Sequence, residues 1–343
     1  MGGGGSFYDR DVTDKSLRTS RGFTSAASDA MSTSRVDAKL LPRSRKLSCK
    51  GESAIVYAFD VTGSMGDLPM IIFDKMPMIA GQLVMNQYLK DPMMSLAAVG
   101  DVNSDDAPLQ VCDFAAAREM DGWLKRIFVE RNGGGQHYES YEFMAYYYAY
   151  LCDVSQVEMP FVLFTGDEGF RENLSGAELS RRFGGEHKDT TATQVFEDLK
   201  KKFKGNVFLI HRAYNNATLN VAIVCDWRRV LGEGRVIDLP DDLAIADVTL
   251  GVFALGGGSR TLDEYIKDIR NRPLEMDGKK YEKQSDDRIE IVRKALKPFA
   301  ETMAAVYKDR PKTKTAATGK KTDSKKASKK TTTAKVKKKP WQL

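Results

Sequence analysis

A chain of 343 residues, 42% hydrophobic and 29% charged, can build one sizeable core with part of its length left outside it. No run of about 18 apolar residues exists, because the best stretches are broken by Asp74 and Lys75 or by Asp247, and this excludes a transmembrane protein. The net charge of +6 is uneven: Pro311 to Leu343 holds twelve lysines against one acid, Asp323, so that segment carries +11 and the remainder −5.

Residues 1–46, rich in Gly, Ser, Thr, Arg and Asp without an apolar period, read as a flexible arm. Its start, Met1-Gly2-Gly3-Gly4-Gly5-Ser6, lacks the basic and apolar regions of a secretory signal. Residues 47–308 read as one α/β domain. Ala54–Phe59 is a continuous apolar strand, as expected where both sheet faces are covered. Leu68 to Leu89 places Ile71, Ile72, Met76, Ile79, Leu83 and Val84 near helical spacing. Ser95–Val99 and Pro108–Cys112 follow as strands, Asp121–Glu130 as a short helix and Ser140–Leu151 as a tyrosine-rich one. Asp101, Asp105 and Asp106, after a strand end, read as a solvated loop, with an acidic rim as the alternative. Phe161–Phe164 is a strand, Val195–Phe203 a helix and Val207–Ile210 a strand. Trp227–Leu231 reads as the start of a helix, Arg235–Leu239 as an edge strand and Leu243–Leu255 as a helix. Leu262–Arg270 and Ile289–Met303 read as closing helices. Residues 309–343, Lys/Thr/Ala/Ser low-complexity sequence, read as a disordered tail. Strands alternating with helices imply a doubly wound, mostly parallel sheet flanked by helices, which places ligands at the carboxyl ends of its strands. Four cysteines (Cys49, Cys112, Cys152, Cys225) stand far apart without a CxxC pair, pointing to neither zinc nor disulfides and to a reducing cytoplasmic compartment.

The chemistry concentrates in Phe59-Asp60-Val61-Thr62-Gly63-Ser64-Met65, where an apolar strand runs into an acid and two hydroxyls at alternate positions. One carboxylate and two hydroxyl oxygens aimed at a common point suit a hard divalent cation: Mg²⁺, with Mn²⁺ or Ca²⁺ as alternatives. A plain helix N-cap by Thr62 or Ser64 is the competing account. A second acid, Asp167, follows another buried strand in Phe164-Thr165-Gly166-Asp167-Glu168-Gly169. If the two strands are neighbours, Asp60 and Asp167 meet at one sheet edge. Gly133-Gly134-Gly135-Gln136-His137-Tyr138-Glu139-Ser140 is a Gly-rich loop opening a helix, able to deliver one more oxygen. His137 reads as a surface or loop-anchoring residue, with ligand binding as the alternative. Tyr146, Tyr147, Tyr148 and Tyr150 read as core and rim.

Asp60-x-Thr62-x-Ser64 resembles the metal-ion-dependent adhesion site (MIDAS) of von Willebrand factor type A (VWA) domains, in which a second Asp follows the fourth strand, as Asp167 does here. The resemblance implies a VWA/Rossmann-like sheet and a cation held by Asp60, Thr62, Ser64 and Asp167. That family also draws a Thr from a later loop, and none follows Gly133-Gly134-Gly135, so Glu139, Gln136 or Ser140 supplies that oxygen directly or through water, or the position is empty. A further likeness, to uncharacterised bacterial and phage VWA-domain proteins, covers roughly Ser53 to Ala254. It rests on the Gly-rich start, Asp60–Met65, Ala98-Val99-Gly100-Asp101, Ala107–Val111, Gly133–Gly135 before Glu139-Ser140-Tyr141-Glu142, and Gly166-Asp167-Glu168.

Three functions compete. The resemblance implies a non-enzymatic, metal-dependent interaction module that takes an acidic residue from a partner protein; an AAA+ ATPase partner comes from the wider family. Asp60-x-Thr62-Gly63-Ser64 also resembles the nucleophile motif of haloacid-dehalogenase-type phosphotransferases, with Asp60 attacking phosphorus. Val61 and the lack of a Lys loop argue against that. The lysine-rich tail, third, is a polycation suited to nucleic acid or other acidic surfaces.

Overall fold

The computed structural model describes residues 36–116, 119–129, 137–272, 275–276, 279–280 and 283–309. Six strands form the central sheet: β1 (Ser53–Asp60), β2 (Pro92–Val99), β3 (Leu109–Val111), β4 (Met159–Gly166), β5 (Val207–His211) and β6 (Val236–Asp238). Their order is β6-β5-β4-β1-β2-β3, all parallel except β3, which pairs antiparallel with β2 at the edge. This is the doubly wound α/β architecture expected from the alternating pattern.

The helices α1 (Leu68–Met85), α2 (Met120–Leu124), α3 (Tyr141–Tyr150), α4 (Gly176–Phe183), α5 (Ala192–Lys202), α6 (Ala217–Leu231), α7 (Ile245–Gly256), α8 (Leu262–Arg270) and α9 (Asp286–Asp309) divide between the two faces. Side chains alternate along a strand, so β1 sends Ile55, Tyr57 and Phe59 into a core shared with α1, α7, α8 and α9. Its Ala54, Val56 and Ala58 enter a second core with α3, α4, α5 and α6. The unbroken apolar character of β1 follows from this double burial.

Several boundaries differ from the sequence expectation. Helix α1 stops at Met85, not Leu89, because Gln87 takes φ +52° and the Tyr88 amide turns back to Leu83 O at 3.1 Å. By length and composition α1 is apolar enough to cross a bilayer despite Asp74 and Lys75; here 72% of it is buried as a core helix. Helix α2 ends at Leu124. Gln110 on β3 then pins Phe128, donating to its carbonyl at 2.7 Å and accepting from its amide at 2.9 Å. Trp227–Leu231 is the end of a helix, not its start: the Asn216 side chain caps α6 by accepting from the Thr218 and Leu219 amides, and Gly232 at φ +101° closes it. Asp101 and Asp105 are buried rather than solvated, Asp101 pairing with Arg171 at 2.8 Å and Asp105 accepting from the Asp101 amide. Before the sheet, residues 36–46 pack on the body: Leu40 is buried, and the Arg45 guanidinium donates to Val111 O and Asp113. The rest of the expected arm, Gly133–Gly135, Gln136 and the tail beyond Asp309 lie outside the described residues.

Candidate metal centre

The chain runs β1 to β2 to β3 in one direction across the sheet and then returns to place β4 on the other side of β1. The carboxyl ends of β1 and β4 therefore flank the switch point, where doubly wound sheets bind ligands. Asp60 is the last residue of β1. Asp167 follows β4, the fourth strand of this sheet in chain order.

The motif closes on itself. Asp60 Oδ1 accepts from the Thr62 amide at 2.8 Å and from the Thr62 hydroxyl at 2.6 Å. Thr62 Oγ1 lies 3.2 Å from Ser64 Oγ, which donates to Asp167 Oδ1 at 3.0 Å. Thr62 makes no side-chain cap bond to the short 3₁₀ turn Gly63–Met65, so its hydroxyl serves Asp60 and not the helix end. Ser64 is exposed, whereas Asp60, Thr62 and Asp167 are buried, so the constellation meets solvent at Ser64.

Glu139 reaches the same place from the loop. Its amide donates to Gly169 O and the Gly169 amide returns a bond to His137 O, both at 3.0 Å, tying the two loops together. His137 thus anchors the loop through its backbone while its ring packs on Tyr138. The Ser140 hydroxyl accepts from the Val102 amide at 2.8 Å, and its own amide donates to Gly100 O at 3.0 Å.

Three residues that sequence reasoning left without a role belong to this site. The Tyr141 hydroxyl donates to Asp60 Oδ2 at 2.9 Å, and a β-carbon at Gly166 would collide with that hydroxyl, so glycine here admits the tyrosine. Glu168 is buried beside Asp167, its carbonyl fixed by the Trp227 indole N–H at 2.9 Å. Arg212, just past β5, donates to Ser64 O at 3.1 Å, lies 3.7 Å from Asp167 Oδ2 and pairs with Asp242 at 3.0 Å. Tyr141 and Glu168 stand inside the motifs noted from sequence; for Arg212 the only signal was its place at a strand's carboxyl end.

Burial, with mutual repulsion, raises the four carboxyls. Asp60 is pushed up to about 7 by burial and then by the charge of Asp167. Glu139 goes to about 11 by burial, then by Asp60 and Glu168. Glu168 goes to about 8 by burial, then by Asp60 and Asp167. Asp167, raised to about 6 by burial, is drawn back by Ser64 and Arg212. One oxygen of Glu139 and one of Glu168 are buried with no hydrogen-bond partner. A bound divalent cation reverses this logic, stabilising the charged forms that burial disfavours. The residues fit such an ion: all donors are hard oxygens, two from aspartates and two from hydroxyls. Among the described residues, no group of three or more His, Cys, Asp or Glu is arranged to hold a metal.

No protein-family model matches the chain, and no curated protein matches it. Among solved structures it is similar to the pilus adhesin SpaC of Lactobacillus rhamnosus GG, at 9% identity and a TM-score of 0.42, over 62% of this chain and 31% of that one. It is similar to proximal thread matrix protein 1 of the mussel byssus, in a form with a zinc-occupied MIDAS motif, at 10% identity and a TM-score of 0.41 over 62% of this chain and 47% of that one. An aerotolerance-related membrane protein from Bacteroides fragilis is similar at 9% identity and a TM-score of 0.34, over 59% of this chain and 98% of that one. The chain spans about a third of the length of SpaC and about half of the byssus protein.

Proposed function

We propose that the chain is a VWA-type, metal-dependent protein-interaction module. Asp60, Thr62, Ser64 and Asp167 hold a divalent cation, Mg²⁺ first and Mn²⁺ or Ca²⁺ as alternatives, and a carboxylate from a partner protein completes its coordination. The observation that carries this reading is the 3.0 Å bond from Ser64 to Asp167, which joins two motif pieces 103 residues apart at one sheet edge. The metal supplies charge and orientation, and no bond is broken. The phosphotransferase reading has less support: Val61 stands inside the motif and no Lys loop lies between a strand-end Ser or Thr and Gly166-Asp167. The lysine-rich tail adds attraction for nucleic acid or another acidic surface. A cytoplasmic setting and an AAA+ ATPase partner remain part of the proposal.

The test is calorimetric titration of Mg²⁺ and Mn²⁺ into the wild type, Asp60→Ala, Asp167→Ala and Ser64→Ala, with circular dichroism to confirm folding. The aspartate variants are expected to lose binding, and Ser64→Ala to weaken it less, since a neutral hydroxyl contributes less to a hard cation than a carboxylate. Unchanged affinity in both aspartate variants overturns the reading. The acidic partner is tested with a peptide array bearing Asp or Glu, probed with and without EDTA; retention indifferent to EDTA removes the metal from the interaction.

A further inference from the structure

A cavity of about 220 Å³ lies between the segment that precedes the sheet and the body of the domain. Leu41 and Arg43 form one wall, Arg182 and Phe183 of α4 a second, and Leu109 of β3 with Phe143 of α3 complete it. Two bonds fix the first wall in place: the Ser44 amide donates to Phe183 O at 2.7 Å, and the Arg45 guanidinium donates to Val111 O at 2.9 Å. Phe183 is itself held by stacking on Tyr146, with ring centroids 5.7 Å apart and planes within 3°, so it does not turn inward to fill the space. The cavity is therefore part of the packing between fixed elements.

Its walls are mostly apolar and its rim is cationic. Arg181 and Arg182 share one carboxylate, Glu178, each through Nε at 2.8 Å, and Arg182 Nη2 also donates to Val102 O at 3.1 Å. Arg43 is exposed, and its side chain has no ion pair or hydrogen bond among the described residues. The rim thus keeps an excess of positive charge over an apolar chamber, even with Asp106 counted against it. An anion with an apolar body answers both features. A guanidinium presents its N–H groups as a planar fork that fits the two oxygens of a carboxylate. For size, an apolar cavity of about 150 Å³ holds benzene, so this one takes a single ring with a short acid-bearing arm.

We propose that this cavity binds a monocarboxylate whose apolar body is the size of a single ring, the body seated among Leu41, Leu109, Phe143 and Phe183 and the carboxylate on the guanidinium of Arg43. The body removes apolar wall from water, which supplies the affinity. The carboxylate meets a cation that the fold leaves uncommitted, which supplies the selectivity. Arg182 stays on Glu178 and Val102, so binding breaks no existing pair. No metal takes part, and the inference stands apart from the proposed function.

The experiment uses the full chain in EDTA, where no metal can capture a carboxylate, and follows 4-fluorophenylacetate by fluorine NMR. The wild type is expected to bind it saturably. The neutral 4-fluorophenylacetamide lacks the charge and acetate lacks the ring; both are expected to bind at least about tenfold more weakly. Arg43→Gln, at an exposed side chain, is expected to weaken the acid by roughly tenfold and leave the amide unchanged. Leu41→Trp, which fills the cavity, is expected to abolish binding of both. No saturable binding by the wild type overturns the proposal, as does equal affinity for acid and amide, or an acid affinity indifferent to Arg43→Gln. Acetate competing as well as the ring-bearing acid reduces the site to a bare anion contact and overturns it too. If Leu41→Trp lowers the melting temperature, the acid-against-amide comparison in Arg43→Gln decides alone. The tripeptide Gly-Gly-Phe carries the same ring and carboxylate on a chain terminus. Binding tighter than the free acid's supports the site with a protein terminus as the source, and weaker binding supports it with a free acid.

Discussion

The Tyr141 hydroxyl donates to Asp60 Oδ2 at 2.9 Å through the gap that Gly166 leaves, while Thr62 holds the other oxygen. The carboxylate is thereby oriented before any ion arrives. Partners that orient a ligand in this way typically account for about 10–100-fold in metal affinity.

Tyr141→Phe therefore tests orientation separately from ligation. Its affinity for Mn²⁺ is expected to fall by roughly 10–100-fold, with a stability loss of only about 1 kcal/mol for one hydrogen bond. Calorimetry and urea titration measure the two effects. Equal losses of affinity and of fold would reduce Tyr141 to a packing residue.

Metal removal should be felt globally, because the cation binds only where β1 and β4 lie side by side. At a hundred times its dissociation constant a ligand specific to the native state adds about 2.7 kcal/mol. The melting temperature is thus expected to rise by several degrees from EDTA to saturating Mg²⁺. Asp60→Ala and Asp167→Ala should show no such rise, which differential scanning calorimetry checks directly.

His211, at the end of β5, supplies a pH dependence of its own. Its Nε2 is 2.8 Å from Asn220 Oδ1, its Nδ1 is buried without a partner, and burial pushes its pKa below the ordinary 6.5. The unfolded chain then binds the proton more readily than the folded one. This contribution to stability is complete above pH 6.5 and is lost as pH falls below it toward the folded value. In EDTA, His211→Gln is expected to lose less stability than the wild type between pH 7.5 and 5.5. Parallel curves would assign the acid sensitivity to other groups.

The tail prediction is electrostatic. Deleting Pro311 to Leu343 should leave metal binding and melting unchanged and abolish retention on duplex DNA. Binding by the full chain should fall with salt at a slope of about −0.9 per phosphate neutralised. Retention that survives the deletion, or barely responds to salt, contradicts the polycation account.

The doubly wound fold was legible because both faces of β1 are covered, which writes an unbroken apolar run into Ala54–Phe59. Helix α6 was misread because its first turns, Ala217 to Ala222, are exposed or half-buried, so their apolar side chains mark no core-facing stripe ahead of the buried Ile223, Val224 and Trp227. The extension of α2 was wrong because a side chain remote in sequence, Gln110, holds Phe128 out of a helix. At the site, Asp60, Thr62, Ser64 and Asp167 could be placed from motif and strand ends. Glu168 could not, because nothing local tells whether the residue after Asp167 faces solvent or turns inward; the Trp227 indole on its carbonyl sets that. Arg212 depends on the order of β4 and β5 in space, which spacing along the chain does not encode.

The bond from Trp227 to the Glu168 carbonyl also gives the site an optical reporter. This indole is fully buried, 5.2 Å from the Tyr141 ring and 5.4 Å from Phe164, and it touches the backbone of the loop that carries Asp167 and Glu168. Its fluorescence should be blue-shifted by the dry surroundings. A paramagnetic ion entering beside Glu168 would quench it over a short range, whereas diamagnetic Mg²⁺ would not. Occupancy of the centre can therefore be followed by the protein's own light, with no label attached to a chain whose exposed cysteine, Cys225, lies on the same helix as Trp227.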